Sequence, residues 1–343
     1  MKSKTFSKFK DDIEGKKQTV LFIGAGVNYT KEHKLMWPDL LDHLMESALG
    51  RLNATDEETK IIKQAFERDG GNVETVDSLR LKMRSNQAFS SEVKASMIKQ
   101  VLGDFYIPLL KDFLYGWDVR GTLREGCKQY LAGKGMDETP FYSLFSIAEF
   151  ILRHKNIKSV VTYNYDDYLS CAINLLQNDD EFKLEDGRRI KPLDVYSGWR
   201  DEPFTENNFL IYHIHGMVQP DDKVTPHCGN QVVLSLEEYY DMARDVYSWQ
   251  SATQIFHLTH YTCAFIGASL VDMTMQRVLH YANLNQSGEN VYVLSASKTN
   301  GDKTDEVIEK LKNSYLELLG LKVVYDTDGY ENLYKKMNQI KTT

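Results

Sequence analysis

Cysteine is scarce in this chain. The 343 residues hold Cys127, Cys171, Cys228 and Cys263, and no two of them form a CxxC pair. That spacing argues against a structural zinc ribbon, and so few thiols argue against a disulfide scaffold. Reduced thiols in a cytosol are the simplest expectation. Long apolar runs are missing as well: none approaches the ~20 residues that span a bilayer. The first 17 residues are too charged for the apolar core of a signal peptide. A cytoplasmic protein without membrane association is therefore expected. Nor is there an excess of positive charge. The formal net charge is -8, which disfavours a broad face for gripping a phosphate backbone, so no direct nucleic-acid binding is expected. The amino terminus is locally basic, with Lys2, Lys4, Lys8, Lys10, Lys16 and Lys17. It reads as a solvated face or frayed arm, or as a docking segment for an acidic partner. Internal repeats and low-complexity tracts are also absent.

What the chain does have is the composition of an ordinary globular protein, 42% hydrophobic and 26% charged, long enough to bury a sizeable core. Short apolar strand candidates lie at 19–23, 159–162, 209–214, 262–266, 290–295 and 321–325. Helical spacing fills the gaps, as in Phe141, Leu144, Phe145, Ala148, Ile151 and Leu152, and again in Ile308, Leu311, Tyr315, Leu318 and Leu319. Alternating strands and helices predict an α/β fold, a Rossmann-like, mostly parallel sheet with helices on both faces. Between the first two strand candidates the rhythm breaks. Ile61, Ile62, Ala65 and Phe66 make one amphipathic face, and Val101, Leu102, Phe105, Leu109, Leu110 and Phe113 another. Residues 39–140 are expected to form a helical insert subdomain within a single domain over 1–343. The charged, turn-rich stretch 178–208 reads as a hairpin or a lid.

Four short motifs sit at the carboxyl ends of strand candidates, where ligands bind in open α/β sheets. The first is Gly24-Ala25-Gly26-Val27-Asn28. A glycine turn from strand to helix lets the backbone approach a diphosphate, although Tyr29 stands where a dehydrogenase fingerprint has its third glycine; a tight turn without ligand is the alternative. The second is Thr162-Tyr163-Asn164-Tyr165-Asp166-Asp167. Asn164 suits sugar hydroxyls or a bound water. Asp166 suits a nicotinamide contact or developing positive charge, and Asp167 suits a helix cap or the surface. The third is His213-Ile214-His215-Gly216. There His215, before a glycine turn, can act as a base. A metal would want both histidines and a third ligand, and none stands at convincing spacing, so no metal is expected. The fourth is Gly267-Ala268-Ser269-Leu270-Val271-Asp272. Gly267 permits close approach, Ser269 can bond ribose or phosphate oxygen, and Asp272 reads as a helix cap.

In that order the motifs resemble the sirtuin superfamily, which carries a GAG turn, a T-x-N-x-D loop, a catalytic His followed by Gly, and a G-x-S loop. Leu35-Met36-Trp37-Pro38-Asp39-Leu40-Leu41 is similar to the tryptophan-bearing segment of bacterial sirtuin-like proteins. Deacetylating sirtuins usually have a ribbon of two CxxC pairs, Gln where Tyr163 stands and Ser where Asn28 stands. These departures look like the prokaryotic anti-phage defence branch, which degrades NAD. The resemblance implies NAD as substrate, its diphosphate over Gly24, Ala25 and Gly26, with Asn28 beside them. Its adenosine end would lie near Gly267 and Ser269, and its nicotinamide ribose would face Asn164 and His215. Asp166 would stabilise an oxocarbenium-like centre, His215 would accept a proton, and the products would be nicotinamide and ADP-ribose. An NAD-dependent protein deacylase and a non-catalytic NAD or ADP-ribose sensor are the alternatives. The resemblance further implies a homo-oligomer, or an activating partner such as a HerA-type ATPase or an Argonaute-type protein.

Overall fold

The computed structural model describes residues 2–33, 35–51, 89–183, 193–197, 208–220, 232–244, 248–270, 273–284, 290–296 and 303–341. Strands β1 (Thr19–Ile23), β2 (Ile157–Thr162), β3 (Asp194–Ser197), β4 (Asn208–His213), β5 (Thr262–Ile266), β6 (Val291–Ala296) and β7 (Lys322–Asp326) form one seven-stranded sheet, ordered β3-β4-β2-β1-β5-β6-β7. Every neighbouring pair is parallel. The first half of the chain supplies α1 (Lys2–Glu14), α2 (Trp37–Arg51), α3 (Ser91–Leu102), α4 (Tyr106–Tyr115), α5 (Val119–Leu131), α6 (Tyr142–Arg153) and α7 (Tyr168–Gln177). The second half supplies α8 (Leu236–Arg244), α9 (Trp249–His260), α10 (Met273–Leu284), α11 (Lys303–Leu318) and α12 (Tyr330–Asn338).

Strand alternation builds a core on each face of the sheet. Leu21 and Ile23 pack with Val160, Ala264 and Leu294 beneath α1, α5, α6, α7 and α12. Val20 and Phe22 pack with Val161, Phe265 and Val293 beneath α8, α9 and α10. Strands covered on both sides must be apolar throughout, which is why β1 and β5 read as unbroken hydrophobic runs. Each fully buried side chain of this size contributes about 1.5–3 kcal/mol. The basic amino terminus is a helix and not a frayed arm: Phe9 and Ile13 of α1 are completely buried.

A third core lies off the sheet. Leu40, Leu44 and Met45 of α2, Ile98 and Leu102 of α3, and Tyr106, Leu110 and Leu114 of α4 pack together with Tyr165, Val218 and Leu234. Helices α5 and α6 follow α4 in sequence but belong to the main core. The amphipathic face at 61–66 lies outside the described residues.

Within 178–208 the described residues include β3, a parallel edge strand paired to β4 over Asp194–Ser197; residues 184–192 and 198–207 lie outside the described residues, and with them most of the expected hairpin or lid. Of the five apolar residues at helical spacing in and after α11, four point outward: Ile308 is 56% exposed, Leu311 66%, Tyr315 45% and Leu318 82%. The fifth, Leu319, packs inward beside the buried Leu316.

The strand order sets the place of the site. From β1 the chain builds outward through β2 to β4 and β3, then returns to β5, β6 and β7 on the other side. The order reverses at β1, and a crevice forms there at the carboxyl ends of the strands.

Candidate active site

A cavity of about 500 Å³ fills that crevice, within the usual range for small-molecule sites. Gly24, Ala25, Gly26, Asn28, Asn164, Asp166, His215, Gly267 and Ser269 all line it. The turns after β1, β2, β4 and β5 therefore meet in one place, although they are far apart in sequence. Asp272 and Cys228 lie outside the described residues.

The glycines act first on each other. A Cβ added to Gly24 would lie 2.7 Å from Gly267 O, and one added to Gly26 2.8 Å from the same atom. Gly24 N donates to Ile266 O at 3.1 Å and Gly26 N to Gly267 O at 2.9 Å. These two amides hold the β1 and β5 turns together. Only residues without side chains let the backbones come this close.

The second motif forms the floor. Asn28 Nδ2 donates to Asp166 Oδ2 at 2.6 Å, and Tyr168 N donates to Asp166 Oδ1 at 3.0 Å. Asp166 thus makes the local turn at the start of α7. Asp167, the expected cap, occupies the cap position without a capping bond from its side chain. Its carboxylate instead receives Arg120 Nη2 at 2.7 Å and the Tyr115 hydroxyl at 3.1 Å. Asn164 Nδ2 reaches Gly24 O at 3.4 Å, and its backbone amide is held by Thr162 Oγ1 at 3.1 Å. Asn28 Oδ1 and Asn164 Oδ1 are buried and have no hydrogen-bond partner among the described residues. A buried acceptor in that state is costly and marks a place where a donor fits.

Burial pushes the Asp166 carboxyl up to about 7, against the bonds from Tyr168 N and Asn28. The folded chain thus holds the proton more tightly than the unfolded chain. The stability this supplies is complete below the ordinary carboxylate range and is lost as pH rises through about 7. Asp166→Asn removes the buried charge. Its stability relative to wild type is expected to improve by roughly 2–4 kcal/mol between pH 4 and pH 8. Urea unfolding at both pH values checks this, and a pH-independent difference would contradict it.

The two histidines of the third motif part company where β4 ends at His213. His213 Nδ1 lies 3.0 Å from Asn164 O, and burial pushes this imidazole down to about 4. His215 turns into the cavity between the rings of Tyr163 and Tyr239, with centroids 5.2 and 5.3 Å away, both edge-on. Gly216, at φ +85, makes the turn that follows. Among the described residues no group of three or more His, Cys, Asp or Glu stands where it could hold a metal ion, and no helix is long and apolar enough to cross a membrane.

Sequence reasoning missed the opposite wall. Met36, Trp37 and Pro38 of the α2 start and Phe113 and Leu114 of α4 line the cavity, as does Tyr239 of α8. The Trp37 segment carries a resemblance as its signal. Phe113 and Tyr239 carry none, because their place depends on how α4 and α8 pack.

No curated protein matches the chain. Residues 158–319 match the family model described as SIR2-like domain, a span that holds the second, third and fourth motifs and most of β2 through α11. SIR2-like domains are NAD-associated. Residues 158–319 thus resemble a SIR2-like domain, on a seven-stranded parallel sheet.

Proposed function

We propose that this chain is an NAD+ glycohydrolase that cleaves the nicotinamide N-glycosidic bond to give nicotinamide and ADP-ribose, and that it serves as an NAD-depleting effector of anti-phage defence. One observation carries the reading: a single cavity gathers the turns of all four motifs, with His215, Asn164 and Asp166 on its walls. The residues suit a dinucleotide. The glycine turns 24–26 and 267–269 offer a bed of backbone, and Trp37 and Phe113 offer apolar faces to a planar base.

Each residue then has a task. Asp166, when ionised above about pH 7, places negative charge in a buried position, where it counts most against positive charge developing on the ribose. Asn28 holds that carboxylate in one orientation. Asn164 orients the ribose or the attacking water, and His215 takes the proton from water or from a ribose hydroxyl. NAD supplies the bond that breaks, and the protein supplies orientation, charge and a proton acceptor.

Incubating the full chain with NAD and an acetylated peptide tests the proposal. Free nicotinamide with ADP-ribose is expected; O-acetyl-ADP-ribose would assign it to the deacylases. Because a toxic hydrolase is held silent until triggered, the assay is run alone and with the neighbouring gene's product. NAD binding with no cleavage in either case would favour a sensor.

The proposal includes self-association of this chain. The exposed line Ile308, Leu311, Tyr315 and Leu318 on α11 supports it, because the 3-4-3 spacing is that of a helix-pairing seam and exposed apolar patches mark interfaces. Light scattering is expected to give a multiple of the 39.6 kDa chain mass, and Leu311→Glu to reduce it. A wild-type chain monomeric at micromolar concentration would exclude this part.

A further inference from the structure

A second, much smaller cavity of about 10 Å³ shares Asn28, Asn164 and Asp166 with the main one and adds Ser170 and His213. A space of that size holds one water molecule. Three buried polar atoms of its lining residues have no hydrogen-bond partner among the described residues: Asn28 Oδ1, Asn164 Oδ1 and His213 Nε2.

The chemistry of each atom follows from the other end of its side chain. Asn28 uses its nitrogen on Asp166, and Asn164 uses its nitrogen on Gly24 O, so both leave an oxygen. His213 Nδ1 faces a carbonyl, Asn164 O, and must carry the proton to donate to it. Nε2 is then a bare acceptor on a ring only 4% exposed. The lining thus presents acceptors with nothing to accept, and a water molecule, which brings two donors, is the ligand that fits.

We infer that His213 is a positioning residue for the catalytic loop: its Nδ1–H holds the Asn164 backbone, and one buried water bridges its Nε2 to an asparagine oxygen. Asn164 is then gripped from behind at its main chain while its side chain faces the substrate cavity. The histidine two residues before His215 does not touch the reacting atoms. It acts through Asn164.

The kinetic consequence rests on the NAD-cleavage reading; the geometric one does not. In His213→Leu, kcat for NAD cleavage is expected to fall about 10–100-fold, the scale of a misplacement near 1 Å, with KM within about threefold of wild type. In His213→Asn, whose amide nitrogen reaches where Nδ1 does, kcat is expected to return to within about fivefold. A leucine variant with wild-type kcat, or an asparagine variant no better than leucine, would overturn the inference. A crystal structure of the full chain decides independently of turnover, including the case in which the leucine variant does not fold. One ordered water is expected within ~3 Å of His213 Nε2; a dry cavity, or Nε2 bonded directly to a protein atom, would overturn it. A wild-type chain that never cleaves NAD would count against the hydrolase and leave this crystallographic outcome standing.

Discussion

His215→Ala is expected to lower kcat for NAD cleavage by ~10²–10⁴-fold, the range for losing one general base, with little change in dinucleotide affinity. The structure gives the reason for the separation. On the proposed reading, binding is spread over the glycine turns and the α2 and α4 residues that line the cavity. His215 is one side chain among them, buried to 5% exposure and clasped edge-on by Tyr163 and Tyr239. The clasp fixes the plane of the ring, so the imidazole has little freedom to lose on reaching the transition state. Removing it forfeits two aromatic contacts worth about 0.5–1.5 kcal/mol each. The backbone bond from Val233 N to His215 O, at 2.8 Å, remains. The variant should fold, with a thermal midpoint a few degrees lower. Nicotinamide release by chromatography, with ADP-ribose binding by calorimetry, checks both halves. Undiminished turnover would strip His215 of its role, and lost turnover with equally lost affinity would recast it as a binding residue.

Much of this arrangement is legible in the sequence because parallel strands buried on both faces must be continuous apolar runs. The runs at 19–23 and 262–266 match β1 and β5 residue for residue, and the other four long strands start or stop one or two residues away. The strand β3 escaped because Asp194-Val195-Tyr196-Ser197 is short, half polar and at the sheet edge, where little burial is demanded. Periodicity found α11 without saying which of its residues are buried. Spacing reports that a stripe exists, not what covers it, and here the inward contact is made by Leu316 and Leu319. The site was legible for a different reason. Its residues sit in turns directly after strands, so their sequence position fixes their spatial position. Phe113 and Tyr239 reach the cavity only through the packing of α4 and α8, which no local pattern encodes. The glycines were singled out for one reason, and the backbone shows another. Close approach to a diphosphate was the expectation, and close approach of one turn to the other is what the backbone shows.

That second role makes Gly267 the position where a single methyl group should cost most. Gly267 lies at φ +65, and a Cβ there would stand 2.7 Å from Val27 Cγ1 and 2.8 Å from Val27 N. The valine methyl can turn aside; the backbone nitrogen belongs to the turn that carries Gly24 and Gly26 and cannot. Gly267→Ala therefore combines left-handed strain of about 1–2 kcal/mol with a clash relieved only by parting the two turns. A total near 3–4 kcal/mol is expected, with a thermal midpoint lower by about 4–6 °C. Gly133→Ala is the control. Gly133 follows α5 at φ +74, where Lys134 N closes back on Gln129 O at 3.0 Å, and among the described residues its added Cβ meets nothing within 4 Å, so it bears the strain alone and should cost about 1–2 kcal/mol. The gap between the two variants measures the contact between the turns. Dinucleotide affinity should follow the same division: weakened at least tenfold in Gly267→Ala, because parting the turns opens the bed of the cavity, and unchanged in Gly133→Ala. Equal losses of stability in both variants would mean that backbone strain alone explains Gly267, and that the β1 and β5 turns are not held together by their glycines.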